Sequence, residues 1–235
     1  MAFVGFMVSI YFTLGIVIDQ MSQRMDDQTE VQLLGVLGEV FPSMEIEDDS
    51  ESARRLGSAK HVFEQLIAYP KLRDLPFDLR MIDLDVPNAF AIPGGVVAVS
   101  PPLFDWVKTD GGLAFVLAHE LAHHQKRHVT RRLGRGLLLA LLDTLMGAGG
   151  GSTVSFGALS QLTLAQYSQE QELEADDFAI EIMNRTMGNT EGALEFLERA
   201  LQEAGSDEVA TFWSSHPPTQ KRLDRLKSKV SGREN

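Results

Sequence analysis

Four of the six histidines in this 235-residue chain lie within ten residues, and two of them form the pattern His119-Glu120-Leu121-Ala122-His123. Four residues of an α-helix turn the chain by about 400°, so both imidazoles lie within roughly 40° of each other and can bind one metal ion. Glu120 lies about 100° further round, where it can reach a water molecule at the metal but is poorly placed as a third ligand. The spacing therefore predicts two metal ligands and a general base on one helix.

The chain contains no cysteine, which excludes disulfides, a thiol nucleophile, Fe–S clusters and thiolate zinc sites. A hydrolytic zinc site uses three protein ligands and keeps one open position, so the third ligand must be a histidine or a carboxylate. Glu172 and Asp176 are four residues apart in a strongly helical stretch and share one face. Glu172 could bind the metal while Asp176 accepts the other ring N–H of a ligating histidine. Taken alone, such a pair is usually a solvated helix face.

The charge balance restricts the partners of the chain. Lys and Arg total 21 and Asp and Glu total 33, which gives a formal net charge of −12. This balance argues against broad attraction to phosphate backbones, so we expect no nucleic acid partner. The content of 44% hydrophobic and 23% charged residues is typical of a folded globular protein.

His124 and His128 extend the predicted helix of the histidine pattern in a basic direction, together with Lys126, Arg127 and Arg131. Helices favour cations near their C-termini, so we interpret this cluster as compensation of the helix dipole on a solvated face. Contact with acidic lipid is the alternative interpretation.

Residues 1–18 carry no charged side chain. As a helix they would be about 27 Å long, slightly less than a hydrocarbon core of ~30 Å. We interpret them as an uncleaved membrane anchor or signal-anchor, the alternative being a buried helix of a soluble domain. The flank from Asp19 to Glu30 has one Arg and four acids, which predicts that the following domain lies outside the cytoplasm, on the periplasmic side.

The rest of the chain predicts an α+β fold that is mostly helical, with a small sheet beside the histidine-bearing helix. Apolar residues at helical spacing predict helices over residues 29–41, 50–68, 113–133, 159–187, 190–204 and 217–230. Short β-type runs predict strands over residues 79–86, 89–92 and 96–99. Residues 137–164 are apolar and glycine-rich, which is typical of a cover near an active site or of a membrane-touching hairpin.

Four ordered motifs between residues 79 and 226 resemble the HtpX and CAAX-prenyl-endopeptidase type of zinc metallopeptidase, a gluzincin family. They are Asn88-Ala89-Phe90-Ala91 with Pro93-Gly94-Gly95, the H-E-x-x-H pattern, the stretch from Glu172 to Asp176, and His216-Pro217-Pro218. The chain is more similar to the BepA-like and minimal members without a repeat domain than to the multi-span enzymes. The resemblance implies a zincin-like fold and one Zn²⁺ per chain.

The resemblance also implies a role for each motif residue. It makes His119, His123 and Glu172 the zinc ligands, Glu120 the catalytic base, and Asp176 the group that orients a ligating histidine. His216 resembles the histidine near the metal in relatives, where it could stabilise the oxyanion or occupy the open ligand position as an inhibitory plug. Its alternative role is that of a neighbour of a helix start.

The strand with Asn88, Ala89, Phe90 and Ala91 resembles the edge strand that holds extended substrate by β-augmentation. The alternative is an ordinary hairpin strand. Arg222 is a further candidate for a charge that supports the site. We expect residues 1–18 to form the membrane anchor, residues 19–70 a helical segment packed on the peptidase, and residues 71–235 the catalytic domain.

These features predict a zinc-dependent endopeptidase that acts on membrane-associated or envelope proteins, including misfolded ones, with a protein or peptide as its substrate. The alternative is a latent or non-catalytic membrane-associated chaperone or binding protein whose zinc site is plugged. The two hypotheses differ in whether His216 fills the fourth position at the metal.

Overall fold

A computed structural model describes residues 2–35, 50–145, 167–203 and 215–231. Parts of three predicted helices, residues 36–41, 159–166 and 204, and most of the apolar segment at 137–164 lie outside this range. Helices of the described part are α1 Ala2–Arg24, α2 Asp27–Leu34, α3 Glu51–Ile67, α4 Pro101–Trp106, α5 Asp110–Gln125, α6 His128–Leu145, α7 Gln169–Thr186, α8 Glu191–Glu203 and α9 Gln220–Val230. The strands are β1 Asp78–Met81, β2 Ala89–Ile92 and β3 Val96–Val99. The predicted α+β class with a small sheet is confirmed.

Several helices begin at a side chain that caps their free backbone N–H groups. Ser50 accepts from the backbone of α3, Thr109 from that of α5 and Thr219 from that of α9. Ser168 caps α7 in a reciprocal box with Gln171, which satisfies two N–H groups at once. Because α5, α7 and α9 are the helices that carry the site, their starting points are fixed by local sequence.

The sheet has the order β1-β3-β2, with β1 parallel and β2 antiparallel to the central β3. Gly94 and Gly95 form the β2–β3 turn with φ of 94° and 101°, a region that favours glycine. The predicted strand over residues 79–86 is too long, since β1 ends at Met81. The chain must cross from one side of β3 to the other before β2 begins, so residues 82–88 cannot extend β1.

Helix α5 lies at the centre of the fold. Every residue from Gly112 to His124 is buried, and the helix packs against α3, α7, α8 and the sheet. A helix that is apolar on most of its circumference is buried on all sides, which explains this position. Histidine and glutamate side chains on α5 are therefore held in a dry, close-packed environment.

The predicted continuous helix over residues 113–133 is wrong. Helix α5 ends at Gln125, and α6 starts at His128 after a break in which Arg127 has φ of 57°. Gly134, which directly follows the predicted helix and is typical of a helix end, lies inside α6 instead. A Cβ there would lie 2.6 Å from Cγ2 of Ile18, so the glycine permits close approach of α1.

The N-terminal helices are tied to the rest of the chain by ion pairs. Asp19 at the end of α1's apolar stretch pairs with Arg131 and Arg135 of α6. The exposed face of α1 is apolar, with Phe12 64% and Ile16 58% exposed. Within the residues described, none of the helices has the length and apolarity needed to cross a bilayer.

Helix α2 is fastened by a second set of pairs. Asp27 lies 2.6 Å from Arg73 and 3.0 Å from Arg127. Glu30, which is buried, lies 2.7 Å from Arg73 and 2.9 Å from Arg127. This cluster, here called the α2 fastener, joins the N-terminal segment to the break between α5 and α6.

Candidate metal centre

Three separate parts of the fold meet at one buried point. Helix α5 supplies His119 and His123, α7 supplies Glu172, and the segment before α9 supplies His216. One nitrogen or oxygen atom from each of these four residues lies within 4.8 Å of the others. All four side chains are buried, so the cluster is a feature of the core and not a chance meeting on the surface.

The separations between the donor atoms fit a small tetrahedral cation. Nε2 of His119 lies 3.1 Å from Nε2 of His123, 3.3 Å from Nδ1 of His216 and 3.3 Å from Oε2 of Glu172. Oε1 of Glu172 lies 3.5 Å from Nε2 of His123 and 3.1 Å from Nδ1 of His216. A tetrahedron with zinc–nitrogen bonds of 2.0–2.1 Å has edges of about 3.3 Å. The residues present therefore fit Zn²⁺.

Glu120 lies beside this cluster, and its carboxylate makes no hydrogen bond to the described residues. Its side chain is fully buried, and Oε1 lies 3.5 Å from Nε2 of His216. Neither carboxylate oxygen has a hydrogen-bond partner among the described residues. Burial raises the pKa of Glu120, which makes it a stronger base than an exposed carboxylate.

Arg222 of α9 holds the two carboxylates of α7. Its Nε and Nη2 lie 2.7 Å from the two oxygens of Asp176, and its Nη1 lies 2.7 Å from Oε2 of Glu172. It also donates to the carbonyl of Pro217, at 3.1 Å. Burial opposes ionisation of Glu172 and Asp176, but Arg222 and the neighbouring histidines together outweigh it and lower the pKa of both. Arg222 thus keeps them charged and fixes the segment carrying His216.

The two α5 histidines have different surroundings. Nδ1 of His119 lies 3.0 Å from Oδ1 of Asp176. Burial lowers the pKa of His119, but Glu172 and Asp176 outweigh it and raise the pKa to about 9. Burial lowers the pKa of His123 well below its usual value. A divalent cation at this point must therefore displace a proton from His119.

Residues 53–230 match the model of Peptidase family M48. The chain belongs to this family. The resemblance drawn from the motifs is confirmed, and with it the expectation of a zinc metalloendopeptidase domain.

Three curated relatives of this M48 chain illustrate the range of similarity. Mitochondrial metalloendopeptidase OMA1 of Schizosaccharomyces pombe is 30% identical over 171 residues, covering 70% of this chain and 50% of that protein. The Beta-barrel assembly-enhancing protease of Escherichia coli K12 is 26% identical over 180 residues, covering 71% and 37%. Metalloprotease YcaL of the same bacterium is 27% identical over 150 residues, covering 61% and 58%. The chain thus spans about half, or less, of the first two relatives.

Two histidines close in sequence to the M48 ligands lie in surroundings that the sequence analysis did not predict. His124 and His128 are buried, and burial lowers the pKa of each to about 4, so the interpretation of both as cations on a solvated face is wrong. Nε2 of His124 lies 3.0 Å from the carbonyl of Val96. His128 lies beside His123, with 3.0 Å between their Nδ1 atoms. Neither contact has a sequence signal, because both cross elements or the α5–α6 break.

Aromatic stacking covers one face of His123. The ring of Tyr167 stacks on its imidazole with a centroid separation of 3.8 Å and an angle of 21°. The guanidinium of Arg132, a residue of α6, lies 3.8 Å from the ring centroid of Tyr167. Tyr167 directly precedes the cap of α7, so the same turn that starts the helix also packs against the ligand.

The predicted substrate strand is β2, at the edge of the sheet. Ala89, Phe90 and Ala91 are buried, and β2 packs against α5. Asn88 precedes the strand, and its backbone N–H donates to Oγ of Ser100 at 2.8 Å. The side-chain amide of Asn88 is buried, and neither its nitrogen nor its oxygen has a partner among the described residues.

Proposed function

We propose that this M48 domain hydrolyses internal peptide bonds with Zn²⁺ held by His119, His123 and Glu172. The observation that carries the proposal is the convergence of these donors, 3.1–3.5 Å apart, beside a buried glutamate that has no hydrogen-bond partner in the described part of the chain. When bound, zinc supplies a Lewis acid that polarises the scissile carbonyl and acidifies the attacking water.

Glu120 is the proposed general base. It takes a proton from the water whose oxygen forms a bond to the carbonyl carbon, and it then gives that proton to the amide nitrogen as the C–N bond breaks. The products are a carboxylic acid and an amine, so atoms and charge balance. The raised pKa of Glu120 suits this double role, because the group must both accept and release a proton near neutral pH.

Replacing Glu120 tests this assignment. Glu120→Gln keeps the size of the side chain but cannot take a proton, so we expect peptide hydrolysis to fall about 10²- to 10⁴-fold while zinc stays bound. Glu170→Gln, which changes an exposed acid on α7, is the control and should hydrolyse like the parent. Unchanged hydrolysis by metal-loaded Glu120→Gln protein would rule out the proposed base.

We infer that substrate backbone adds to the β2 edge and that the side chain of Asn88 contacts it. The support is the position of β2, which pairs with β3 on one side, and the buried amide of Asn88. Main-chain recognition predicts that methylating single backbone nitrogens of a peptide substrate will raise KM, whereas changing side chains at those positions will have a smaller effect. The opposite ranking would contradict the inference.

Substrates of the membrane or envelope are favoured by the apolar surface of α1. Phe12, Ile16 and Met21 are more than half exposed, and Asp19, the first charge along α1, pairs with arginines of α6. We propose that this face binds lipid, with the catalytic domain on the periplasmic side. In a vesicle flotation assay the chain should rise with the lipid, and a Phe12→Ser, Ile16→Ser variant should remain at the bottom.

Latency is a second candidate state, and one observation favours it. Nδ1 of His216 lies at the fourth corner of the tetrahedron, 3.3 Å from His119 Nε2 and 3.1 Å from Glu172 Oε1. A fourth protein ligand there excludes substrate and closes the site. If His216 is a plug, His216→Ala will raise hydrolysis of a short peptide. If His216 instead stabilises the oxyanion, the same change will lower kcat.

A further inference from the structure

The ring nitrogen of His123 that faces away from the donor cluster contacts an unexpected partner. Its Nε2 faces the cluster, and its Nδ1 lies 3.0 Å from Nδ1 of His128. The corresponding nitrogen of His119 faces the carboxylate of Asp176. One ligand histidine is therefore oriented by a carboxylate, and the other by a second imidazole that is itself fully buried.

The contact that His128 makes with α7 determines which of its ring nitrogens can accept a hydrogen bond. Nε2 of His128 lies 3.2 Å from Oε2 of Glu174 on α7. An ionised carboxylate only accepts, so the proton of a neutral His128 resides on Nε2 and leaves Nδ1 as an acceptor. Nδ1 of His123 must then donate to it, which leaves the lone pair of His123 Nε2 directed toward the other donor atoms.

The break between α5 and α6 makes this contact possible. In one continuous helix, five residues turn the chain by about 500°, which would place His123 and His128 roughly 140° apart. The positive φ of Arg127 redirects the chain, so His128 starts α6 on the side of His123. The pairs of Arg127 with Asp27 and Glu30 hold this conformation.

We propose that His128 and Glu174 are positioning residues that fix the tautomer and the ring orientation of His123 for zinc binding. The proposal rests on the proposed metal centre. The relay runs from His123 Nδ1–H to His128 Nδ1, and from His128 Nε2–H to the carboxylate of Glu174. Loss of such an outer partner typically weakens metal binding by about 10- to 100-fold.

Zinc affinity and a cobalt spectrum test the relay without relying on catalysis. Affinity is measured by competition with a chromophoric chelator, and the d–d absorption of the Co²⁺ form reports the geometry of the ligands. His128→Leu, which cannot accept a hydrogen bond, should raise the Kd for zinc about 10- to 100-fold and alter the cobalt spectrum. His128→Asn, whose side-chain oxygen can accept from His123, should recover most of the affinity.

Glu174 provides a variant at a half-exposed position where folding is not at risk. Glu174→Ala should weaken zinc binding in the same direction as His128→Leu, and by less, because water can replace the lost acceptor. Glu170→Ala removes an exposed acid from the same helix and is the matched control. It should leave both the Kd and the cobalt spectrum unchanged.

His124→Asn separates positioning from packing. His124 is a buried histidine of α5 that contacts the Val96 carbonyl. Its loss should lower Tm and leave the Kd for zinc unchanged. Equal weakening of zinc binding by His124→Asn and His128→Leu would overturn the relay, and so would wild-type affinity in both His128→Leu and Glu174→Ala. If the parent protein itself binds no zinc, the metal centre fails and not only the relay.

Discussion

Two buried or half-buried networks of acids and arginines contact α5 or its end, and they differ in charge balance. Around the metal centre, Glu120, Glu172 and Asp176 are in contact with Arg222 or His216, and Arg222 is the one arginine bound directly to these carboxylates among the described residues. Three carboxylates and one guanidinium leave a formal charge of −2, since the histidines are neutral when they bind metal.

The α2 fastener has no such deficit. Asp27 and Glu30 face Arg73 and Arg127, so two negative charges meet two positive ones. A buried charge without a counter-ion is strongly unfavourable, whereas a balanced network is complete by itself. The comparison teaches that the centre has the charge to accept a divalent cation, while the fastener is complete without one and joins α2 to the break between α5 and α6.

The largest effect should come from removing the arginine of the unbalanced network. Arg222→Met leaves Glu172 and Asp176 buried without their counter-ion, so we expect a loss of about 3–5 kcal/mol in the free energy of unfolding. Arg222→Lys should recover little, because an ammonium cannot bind two carboxylates as a planar fork does. Arg225→Met changes another arginine of α9, which forms a half-exposed pair with Asp177 of α7, and it should cost less than about 1 kcal/mol. Denaturant titrations measure all three.

The second-largest effect should come from removing the metal, which should change the free energy of unfolding through the metal centre and not through the α2 fastener. In zinc at 100 to 1,000 times Kd, the bound cation should add about 2.7–4.1 kcal/mol to the free energy of unfolding, and a chelator should abolish this gain. An Asp27→Asn variant should show the same gain, because its network holds no metal. If zinc stabilised the parent protein but not Asp27→Asn, the metal centre and the α2 fastener would not be independent networks.

Lowering the pH should destabilise the α2 fastener by protonating Asp27. Burial raises its pKa, but the hydrogen bond and charge of Arg73 outweigh this and lower it below 3.8. A carboxyl whose folded-state pKa is depressed stabilises the fold above its unfolded pKa of about 3.9, and this contribution is lost as pH falls further. Stability of the metal-free protein should therefore decline more steeply between about pH 5 and pH 3 than that of Asp27→Asn. Parallel declines would contradict this assignment.

The smallest effect concerns the contact of α1 with α6. Gly134→Ala gains helix propensity of about 0.5–1 kcal/mol, but the new Cβ meets Ile18. We expect no stabilisation in the parent protein and a gain in an Ile18→Ala background. Gly57→Ala is the control, since a Cβ at that position in α3 meets nothing within 4 Å, and it should stabilise in both backgrounds. Thermal unfolding measures the four variants.

Local periodicity was sufficient to predict the candidate donors that lie within one helix. His119, Glu120 and His123 follow from the 3.6-residue repeat, and Glu172 with Asp176 follows from the same repeat and the absence of cysteine. The α3 boundaries also follow from local rules, because Ser50 is a capping residue and a proline ends the segment. The class of the fold and of the centre could therefore be predicted.

Other features depend on the folded chain. The sequence offered Arg222 only as a candidate charge near the site, and the packing of α9 against α7 makes it the counter-ion of two carboxylates. The break at Arg127 has no sequence signature, since an arginine rarely adopts a positive φ. Gly134 looked like a helix end because glycine is common there, whereas its role is close packing. The burial of His128 could not be predicted for the same reason, because its position depends on the break at Arg127.

The order in which the donors occur along the chain has a consequence for biosynthesis. His119 and His216 are 97 residues apart, and Arg222 comes later still. While a ribosome is extending the chain, the first two histidines emerge long before the residues that complete and neutralise their surroundings. The donor set and the arginine that neutralises it are therefore complete only after the residues of α9 have been translated.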